Sequence, residues 1–564
     1  VEALDWLVIG VFFLALIGII VWVVRQKQND SADYFLGGRD ATWLAIGASI
    51  FASNIGSEHL IGLAGAGASS GMAMAHWEIQ GWMILILGWV FVPFYSRSMV
   101  YTMPEFLERR YNPQSRTILS VISLVSYVLT KVAVTVYAGG LVFQQVFGIK
   151  ELWGIDFFWI AAIGLVVLTA LYTIFGGMKS VLYTSVLQTP ILLLGSLIIL
   201  VLGFKELGGW DEMMRVCGAV TVNDYGDTMT NLIRSNDDAN FPWLGALIGS
   251  AIIGFWYWCT DQFIVQRVLS GKNEKEARRG TIFGAYLKLL PVFLFLIPGM
   301  IAFALHQKYI GAGGEGFLPM LANGTANADA AFPTLVAKLL PAGVKGLVVC
   351  GILAALMSSL ASLFNSSAML FTIDFYKRFR PETPEKKLVG IGQIATVVIV
   401  ILGILWIPIM RSVGDVLYTY LQDVQSVLAP GIAAAFLLGI CWKRTSAQGG
   451  MWGLIAGMII GLTRLGAKVY YSNAGEVADS TFKYLFYDMN WLFFCGWMFL
   501  FCIIVVIVVS LATEAPTAEK IQGLVFGTAT KEQKAATRAS WDHWDIIHTV
   551  IILAITGAFY WYFW

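Results

Sequence analysis

Fourteen apolar runs, each long enough to cross a membrane as a helix, follow one another along this 564-residue chain. A spanning helix needs about 20 apolar residues, and lipid favours helices because they satisfy their own backbone polar groups. Hydrophobic residues make up 58% of the chain and charged residues 13%, about half the usual charged share. These values exclude a disordered chain, a nucleic-acid binder and an ordinary soluble enzyme. The predicted spans are 5–26, 41–68, 77–99, 117–147, 153–174, 180–204, 241–267, 280–305, 343–376, 387–410, 415–442, 448–471, 491–513 and 543–564.

Basic residues predict the orientation of these spans, because lysine and arginine concentrate in cytoplasmic loops. With the N-terminus outside, 24 of the 37 basic residues fall in inside loops, 9 fall outside and four lie within spans. We therefore expect both termini outside. The first span is expected to be retained, because it lacks the positive segment and the small-residue cleavage site of a signal peptide.

The second predicted span is interrupted by polar residues. Residues 53–59 read Ser-Asn-Ile-Gly-Ser-Glu-His within an otherwise apolar helix. One interpretation is a kink with hydrogen bonds between helices. The other is a discontinuous helix, whose freed carbonyls and half-helix ends bind an ion and a substrate. In that case the carbonyls of Ala52 and Ile55 become available as ligands.

Small and hydroxyl residues recur in the ninth span. They are typical of a close helix-packing face. A sharper hypothesis makes Ser358 and Ser359 ligands of a weakly held sodium ion, which accepts neutral oxygens such as hydroxyls and backbone carbonyls.

The seventh span carries a second interruption, at residues 254–262. A glycine is followed by aromatic residues and then by Thr-Asp-Gln. One interpretation is an aromatic belt at the membrane interface. Because apolar sequence continues on both sides, we favour a deeper pocket in which Tyr257 and Trp258 stack on a sugar-like ring. The two interruptions lie five helices apart, as an inverted repeat of five plus five helices would place them.

Charged and amide side chains within other spans are candidate functional groups. Glu78, Lys288, Gln422 and Asp423 all interrupt apolar sequence. Each alone fits a structural pair or a side chain that reaches the interface. Together they suit the hydroxyls of a polyol, since a carboxylate accepts from a hydroxyl while lysine donates to its oxygen.

At these positions the chain resembles the sodium/glucose cotransporters of the solute:sodium symporter family. The stretches that carry the resemblance are 34–39 (YFLGGR), 53–62 (SNIGSEHLIG), 256–262 (WYWCTDQ), 357–360 (MSSL), 364–366 (FNS) and 442–444 (WKR). The resemblance implies an all-α integral membrane protein of LeuT-type fold, with sodium as the coupling ion. It implies one transmembrane domain over 1–564, with an extra first helix at 5–26, a first repeat at 41–204, a second repeat at 241–442 and three extra helices at 448–564.

The resemblance also implies roles for individual residues. Sodium would bind the carbonyls of Ala52, Ile55 and Ala355 and the hydroxyls of Ser358 and Ser359. The substrate would bind Asn54, His59, Glu78, Tyr257, Trp258, Lys288 and Gln422. The outer gate would comprise Leu63, Trp77 and Tyr418, and Tyr257 would also serve as the inner gate.

Four positions depart from the pattern of the family. Ser185 stands where many members have Asp, and Ala361 lacks the hydroxyl of members that use two sodium ions; we therefore expect one sodium per substrate. Gly81 and Gly254 stand where relatives place hydrogen-bonding side chains, which removes possible sugar contacts.

The predicted function is sodium-coupled uptake of a hexose such as glucose or galactose by alternating access. A myo-inositol or other polyol symporter and a sugar sensor without net uptake remain alternatives. An enzyme is disfavoured, because no nucleophile–base set and no metal-ligand spacing is present. We expect a multi-pass monomer in a lipid bilayer, with short loops suggesting a bacterial inner membrane.

Overall fold

A computed structural model describes the backbone of residues 2–56, 58–321, 324–413, 417–473 and 478–564, without the side chains of 129, 407, 409–413, 417–423 and 472–473. The main helices are α1 (Ala3–Val24), α2 (Trp43–Asn54), α3 (Glu58–Leu63 continued by Ala64–Ser69), α4 (Gly71–Ser98), α5 (Pro113–Phe147), α6 (Phe157–Leu207), α7 (Trp243–Thr260), α8 (Gln262–Leu269), α9 (Glu274–Gly311), α10 (Val344–Phe379), α11 (Glu385–Val413), α12 (Leu417–Cys441), α13 (Ala447–Asn473), α14 (Trp491–Ala512) and α15 (His543–Tyr562). Two short strands, β1 (Glu151–Leu152) and β2 (Ile155–Asp156), form an antiparallel hairpin before α6.

Shorter helices lie in the connecting segments, and polar caps begin several of the helices. The shorter helices include Ser31–Leu36, Met103–Arg110, Trp210–Gly218, Ala331–Leu339 and Lys531–Ala539. The side chain of Asn273 begins α9 by accepting from the N–H of Glu276, and that of Asp542 begins α15 by accepting from the N–H of Trp544. Such caps satisfy backbone donors that have no partner within the helix.

Twelve helices of the described chain are long and apolar enough to cross a membrane. The difference from the fourteen predicted spans arises at two places. The second predicted span is divided into α2 and α3. The fifth and sixth are joined in α6, whose 51 residues would measure about 75 Å at 1.5 Å per residue. The count of fourteen spans stays a prediction.

Gly177 divides α6 into two parts. Its φ of 56° and ψ of −148° are non-helical, and only glycine adopts such backbone angles readily. A Cβ at this position would also collide with the carbonyl of Tyr34. The chain therefore turns within α6, and each part has the length of a single membrane crossing.

The packing of the helices brings the two interrupted regions into the interior. α6 lies along α10, while α2 packs against α6, α9 and α10. α12, α13 and α14 pack on one another, and α7 contacts α12 and α14. The end of α2 is therefore held next to the serine-rich part of α10.

Candidate functional site

The first interruption lies between α2 and α3. Ile55 has φ −80° and ψ 108°, so the chain leaves the helix there and resumes at Glu58 in a π-helical turn. The N–H of Ile55 donates to the carbonyl of Phe51 at 3.1 Å. No backbone N–H of the described residues donates to the carbonyl of Ala52. The break thus leaves backbone oxygen available to a ligand.

A serine hydroxyl of α10 lies next to this break. A Cβ at Gly56 would lie 3.1 Å from the Oγ of Ser359, which places that hydroxyl beside the interrupted backbone. No hydrogen-bond partner of the Ser359 Oγ occurs among the described residues. Ser358 is buried next to it, and Ala355 is buried one turn earlier. Hydroxyl and carbonyl oxygens of this kind are neutral acceptors, which a sodium ion takes as ligands.

A ladder of hydroxyls continues behind this region. The Ser362 Oγ donates to the carbonyl of Ser358 at 2.8 Å and lies 2.5 Å from the Oγ of Ser53, which ties α2 to α10. The Ser185 Oγ lies 3.4 Å from that of Ser358 and donates to the Val181 carbonyl at 2.6 Å. The sequence does not predict the contact between Ser53 and Ser362, because the two residues are 309 positions apart.

Glu78 is the centre of a buried polar cluster. Its Oε2 accepts a hydrogen bond from the Lys288 Nζ at 2.6 Å and lies 3.1 Å from the His59 Nε2. The Asn54 Nδ2 lies 3.5 Å from the same histidine nitrogen. The Lys288 ammonium is 5.3 Å from the ring centre of Trp258. A carboxylate, an ammonium, an imidazole and an amide are thus arranged around an aromatic face.

These groups line one cavity, which leaves about 60 Å³ free. Its walls are Asn54, Glu58, His59, Trp77, Glu78, Gln80, Ile253, Gly254, Tyr257, Trp258, Lys288 and Gln425. The structure therefore brings together six of the seven predicted substrate residues. The side chains of the seventh, Gln422, and of the predicted gate residue Tyr418 lie outside the described residues. Glu58, Gln80 and Gln425 are additional wall residues.

Two buried nitrogen atoms at the cavity have no partner among the described residues: the Nδ1 of His59 and the Nε1 of Trp77. Buried polar atoms are usually hydrogen-bonded, and an unmet partner costs about 1–3 kcal/mol. Each of these two wall residues thus carries one unmet hydrogen bond among the described residues.

The predicted outer gate extends beyond the residues that the sequence indicated. Trp77 stacks on Trp491 of α14 with ring centres 5.5 Å apart, and Phe241 meets its edge at 5.9 Å. Leu63, the other described residue of the predicted outer gate, is buried but is not a wall residue of the cavity. One of the C-terminal helices thus covers Trp77.

The second interruption, between α7 and α8, is filled by side chains. Asp261 has an extended backbone and caps α8 by accepting from the N–H of Phe263. Its carboxylate also accepts from the Lys131 Nζ at 2.8 Å and from the Tyr127 hydroxyl. The Lys131 ammonium lies 4.9 Å from the ring centre of Tyr257, a wall residue of the cavity. An ion pair therefore lies directly behind the predicted inner gate.

The two glycines that depart from the family pattern have different surroundings. A Cβ at Gly81 would lie 2.8 Å from the Ala285 carbonyl, so this glycine allows α4 to pack closely on α9. A Cβ at Gly254 would instead meet the side chain of Gln80 at 2.6 Å. Only Gly254 is a wall residue of the cavity.

Comparison with known proteins identifies the family. Residues 34–457 match the model of the sodium:solute symporter family. The chain belongs to this family. It is 37% identical over 541 residues to the mouse (Mus musculus) sodium/myo-inositol cotransporter 2, covering 93% of this chain and 79% of that one. It is 35% identical over 559 residues to the zebrafish (Danio rerio) sodium/glucose cotransporter 4, covering 96% and 83%.

A solved structure supports the fold. The chain superposes on the substrate-bound, outward-open state of a Na⁺-coupled sialic acid symporter with a TM-score of 0.72, at 22% identity, over 92% of this chain and 99% of that one. The predicted all-helical, LeuT-type fold is confirmed. The protein is a multi-pass membrane symporter that couples solute transport to sodium, and it is not an enzyme.

Proposed function

We propose that the protein couples inward sodium flux to the uptake of a hexose such as glucose or galactose by alternating access. The cluster of Glu78, Lys288 and His59 beside Trp258 is the observation that supports this substrate class. The carboxylate accepts from sugar hydroxyls, the ammonium donates to their oxygens, and the indole packs against the C–H face of the ring.

Myo-inositol is the second candidate substrate. It also presents hydroxyls on a six-membered ring, and relatives from mouse, human and rabbit at 36–37% identity are sodium/myo-inositol cotransporters. A direct competition between labelled glucose, galactose and myo-inositol ranks the three.

For sodium, the proposed ligands are the carbonyls of Ala52, Ile55 and Ala355 and the hydroxyls of Ser358 and Ser359. Sodium there would hold the end of α2 against α10. Because Asn54 and His59 adjoin the same break, this ordering also positions two of the cavity's side chains. Sodium and substrate would therefore bind cooperatively.

One sodium per substrate is the proposed stoichiometry. Ser185 brings a hydroxyl rather than a carboxylate to the ladder beside Ser358, and Ala361 brings no side-chain oxygen. One charge moving through 100 mV contributes about 2.3 kcal/mol, which supports about 50-fold accumulation before any sodium gradient.

Alternating access requires one gate on each side of the cavity. The outer gate would comprise Leu63, Trp77 and Tyr418, to which the structure adds Trp491 as a stacking partner. The inner gate would comprise Tyr257, which is also a substrate contact together with Asn54, Trp258 and Gln422. Opening of the inner gate would have to disturb the ion pair of Lys131 with Asp261.

We also propose that the chain consists of two repeats at 41–204 and 241–442 with extra helices at 5–26 and 448–564, that it is a monomer, and that both termini lie outside. The basic residues of the inside loops support the orientation. The relatives reported above are animal proteins, and a bacterial inner membrane stays a prediction based on loop length.

Uptake by proteoliposomes tests the function. Labelled glucose, galactose and myo-inositol are each offered with an inward sodium gradient, with an equal gradient of potassium, and with sodium equal on both sides. We expect accumulation only with the sodium gradient. A sugar-evoked current without accumulation would indicate a sensor, and equal uptake in potassium would refute sodium coupling.

A further inference from the structure

Gly254 leaves a space in the cavity wall that another helix fills. A Cβ at this position would lie 2.6 Å from the Oε1 of Gln80 and 3.0 Å from its Cδ and Nε2. Those distances are too short for non-bonded atoms. The amide of Gln80, from α4, thus occupies the volume that any side chain at position 254 of α7 would enter.

The Gln80 amide is held in a defined orientation. Its Nε2 donates to the carbonyl of Ser250 at 2.8 Å, four residues before Gly254. Because a carbonyl accepts but never donates, this bond assigns the nitrogen and oxygen ends of the amide. Gln80 is buried and is a wall residue of the cavity, and no described donor reaches its Oε1. The oxygen is therefore a fixed acceptor without a protein partner among the described residues.

A local irregularity in α4 lets Gln80 and Glu78 face the same cavity. Residues two positions apart lie about 200° apart around a regular helix and do not share a face. Here the helix stops at Glu78, Ile79 and Gln80 have ψ values of 32° and 24°, and the next helical segment begins at Gly81. The irregular backbone thus presents a carboxylate and an amide to one solute.

We propose that Gln80, admitted by Gly254, is a specificity-determining residue whose Oε1 accepts a hydrogen bond from one hydroxyl of the transported ring. This inference rests on the proposed function, since it assigns a contact within that polyol site. Gln80 adds an acceptor that is held by α7, whereas the groups of Glu78 and Lys288 are held by each other. A recognition group at this place in the wall therefore comes from position 80 of α4 and not from position 254 of α7.

Mono-deoxy analogues of the transported ring test the assignment. The KM for sodium-driven uptake is measured for the parent and for each analogue, with wild type and with Gln80→Ala. A neutral hydrogen bond is worth about 0.5–1.5 kcal/mol, so Gln80→Ala should raise the KM of the parent about 2- to 13-fold. The KM of one analogue, the one lacking the hydroxyl that Gln80 reads, should stay unchanged.

Two further variants separate recognition from loss of structure. Gly254→Ser should displace the Gln80 amide and give the same selective loss for the same hydroxyl. Gln80→Ala combined with Gly254→Asn places an amide on α7 instead and should restore discrimination at that hydroxyl. Gln28→Ala is the matched control, because the Gln28 Nε2 also donates to a backbone carbonyl, that of Gly176 at 2.7 Å, away from the cavity.

The outcomes are distinct. Equal loss for the parent and every analogue, or an unchanged KM with a lower maximal rate, would overturn the role of Gln80 while leaving the proposed function intact. No sodium-dependent uptake of any ring by the wild-type protein would overturn the proposed function and this inference with it.

Discussion

At the first helix break the chain runs extended through Ile55, and the Ser359 hydroxyl beside it has no partner among the described residues. At the second break the chain runs extended through Asp261, whose carboxylate holds Lys131, Tyr127 and the start of α8. Both breaks interrupt a membrane helix. The first leaves polar groups open to a ligand, whereas the second satisfies its groups from within the protein.

The two breaks therefore suit different roles, the first ligand binding and the second gating. At a break with unpaired oxygens, the ordered conformation is stabilised only when an ion or a solute binds. The conformation of such a break therefore depends on the ligand. A break closed by a buried ion pair is stable without a ligand and resists opening. We therefore expect sodium to order the first break, and the ion pair at the second break to open afterwards.

The largest expected effect follows from breaking the internal pair. Asp261→Asn leaves the Lys131 ammonium buried without its carboxylate, and removing one member of a buried pair costs about 3–5 kcal/mol. We expect a large fall in the thermal stability of the purified protein for this variant. Lys131→Met combined with Asp261→Asn should recover most of it, and a double variant no more stable than Asp261→Asn would contradict the pairing.

The next effect concerns the substrate cluster. Glu78→Gln removes the charge that Lys288 and His59 face, and hydrogen bonds to charged groups are worth about 1.5–3 kcal/mol. The KM for substrate should rise about 10- to 100-fold. Glu212→Gln is the control, because Glu212 pairs with Arg215 on an exposed surface. Equal KM values for the two variants would remove Glu78 from the site.

A smaller effect is expected at the open break. Ser359→Ala removes one neutral ligand, so the sodium concentration for half-maximal uptake should rise about 3- to 10-fold. Ser367→Ala removes a buried hydroxyl without a described partner from the same helix and should leave that concentration unchanged. If the two variants behave alike, Ser359 is not a ligand.

The smallest effect is expected at Ser185. Its Oγ already donates to its own helix and makes only a 3.4 Å contact with Ser358, so Ser185→Ala should change the sodium requirement by about twofold or less. The ratio of charge to substrate moved, measured by current and isotope uptake together, should stay at one. A ratio of two in the wild-type protein would place a second sodium in the hydroxyl ladder.

Both breaks could be predicted from the sequence. Polar residues are costly within an apolar membrane helix, so where they occur they indicate a functional or structural role. Glu78 and Lys288 were visible for the same reason, since charges within spans are rare. The sequence did not indicate that Glu78 pairs with Lys288 or that Lys131 pairs with Asp261, because the members of these pairs lie 210 and 130 positions apart. The signal that could have suggested the second pair is that Lys131 and Asp261 are charges of opposite sign within predicted spans.

Other features depended on geometry that a single sequence does not carry. Gln80 reaches the cavity only because α4 is irregular at Ile79, and regular helical spacing turns it away from Glu78. Trp491 covers Trp77 from a helix outside the predicted repeats. Gly81, expected to mark a lost sugar contact, serves close packing with α9.

The central claim is that sodium at the first break completes the substrate cavity. Its most direct test is the Kd of labelled substrate for the purified protein in sodium and in potassium at equal ionic strength, with the reciprocal effect of substrate on sodium binding. We predict tighter substrate binding in sodium and, by linkage, an equal factor for sodium in the presence of substrate. Identical substrate Kd values in the two salts would contradict the account.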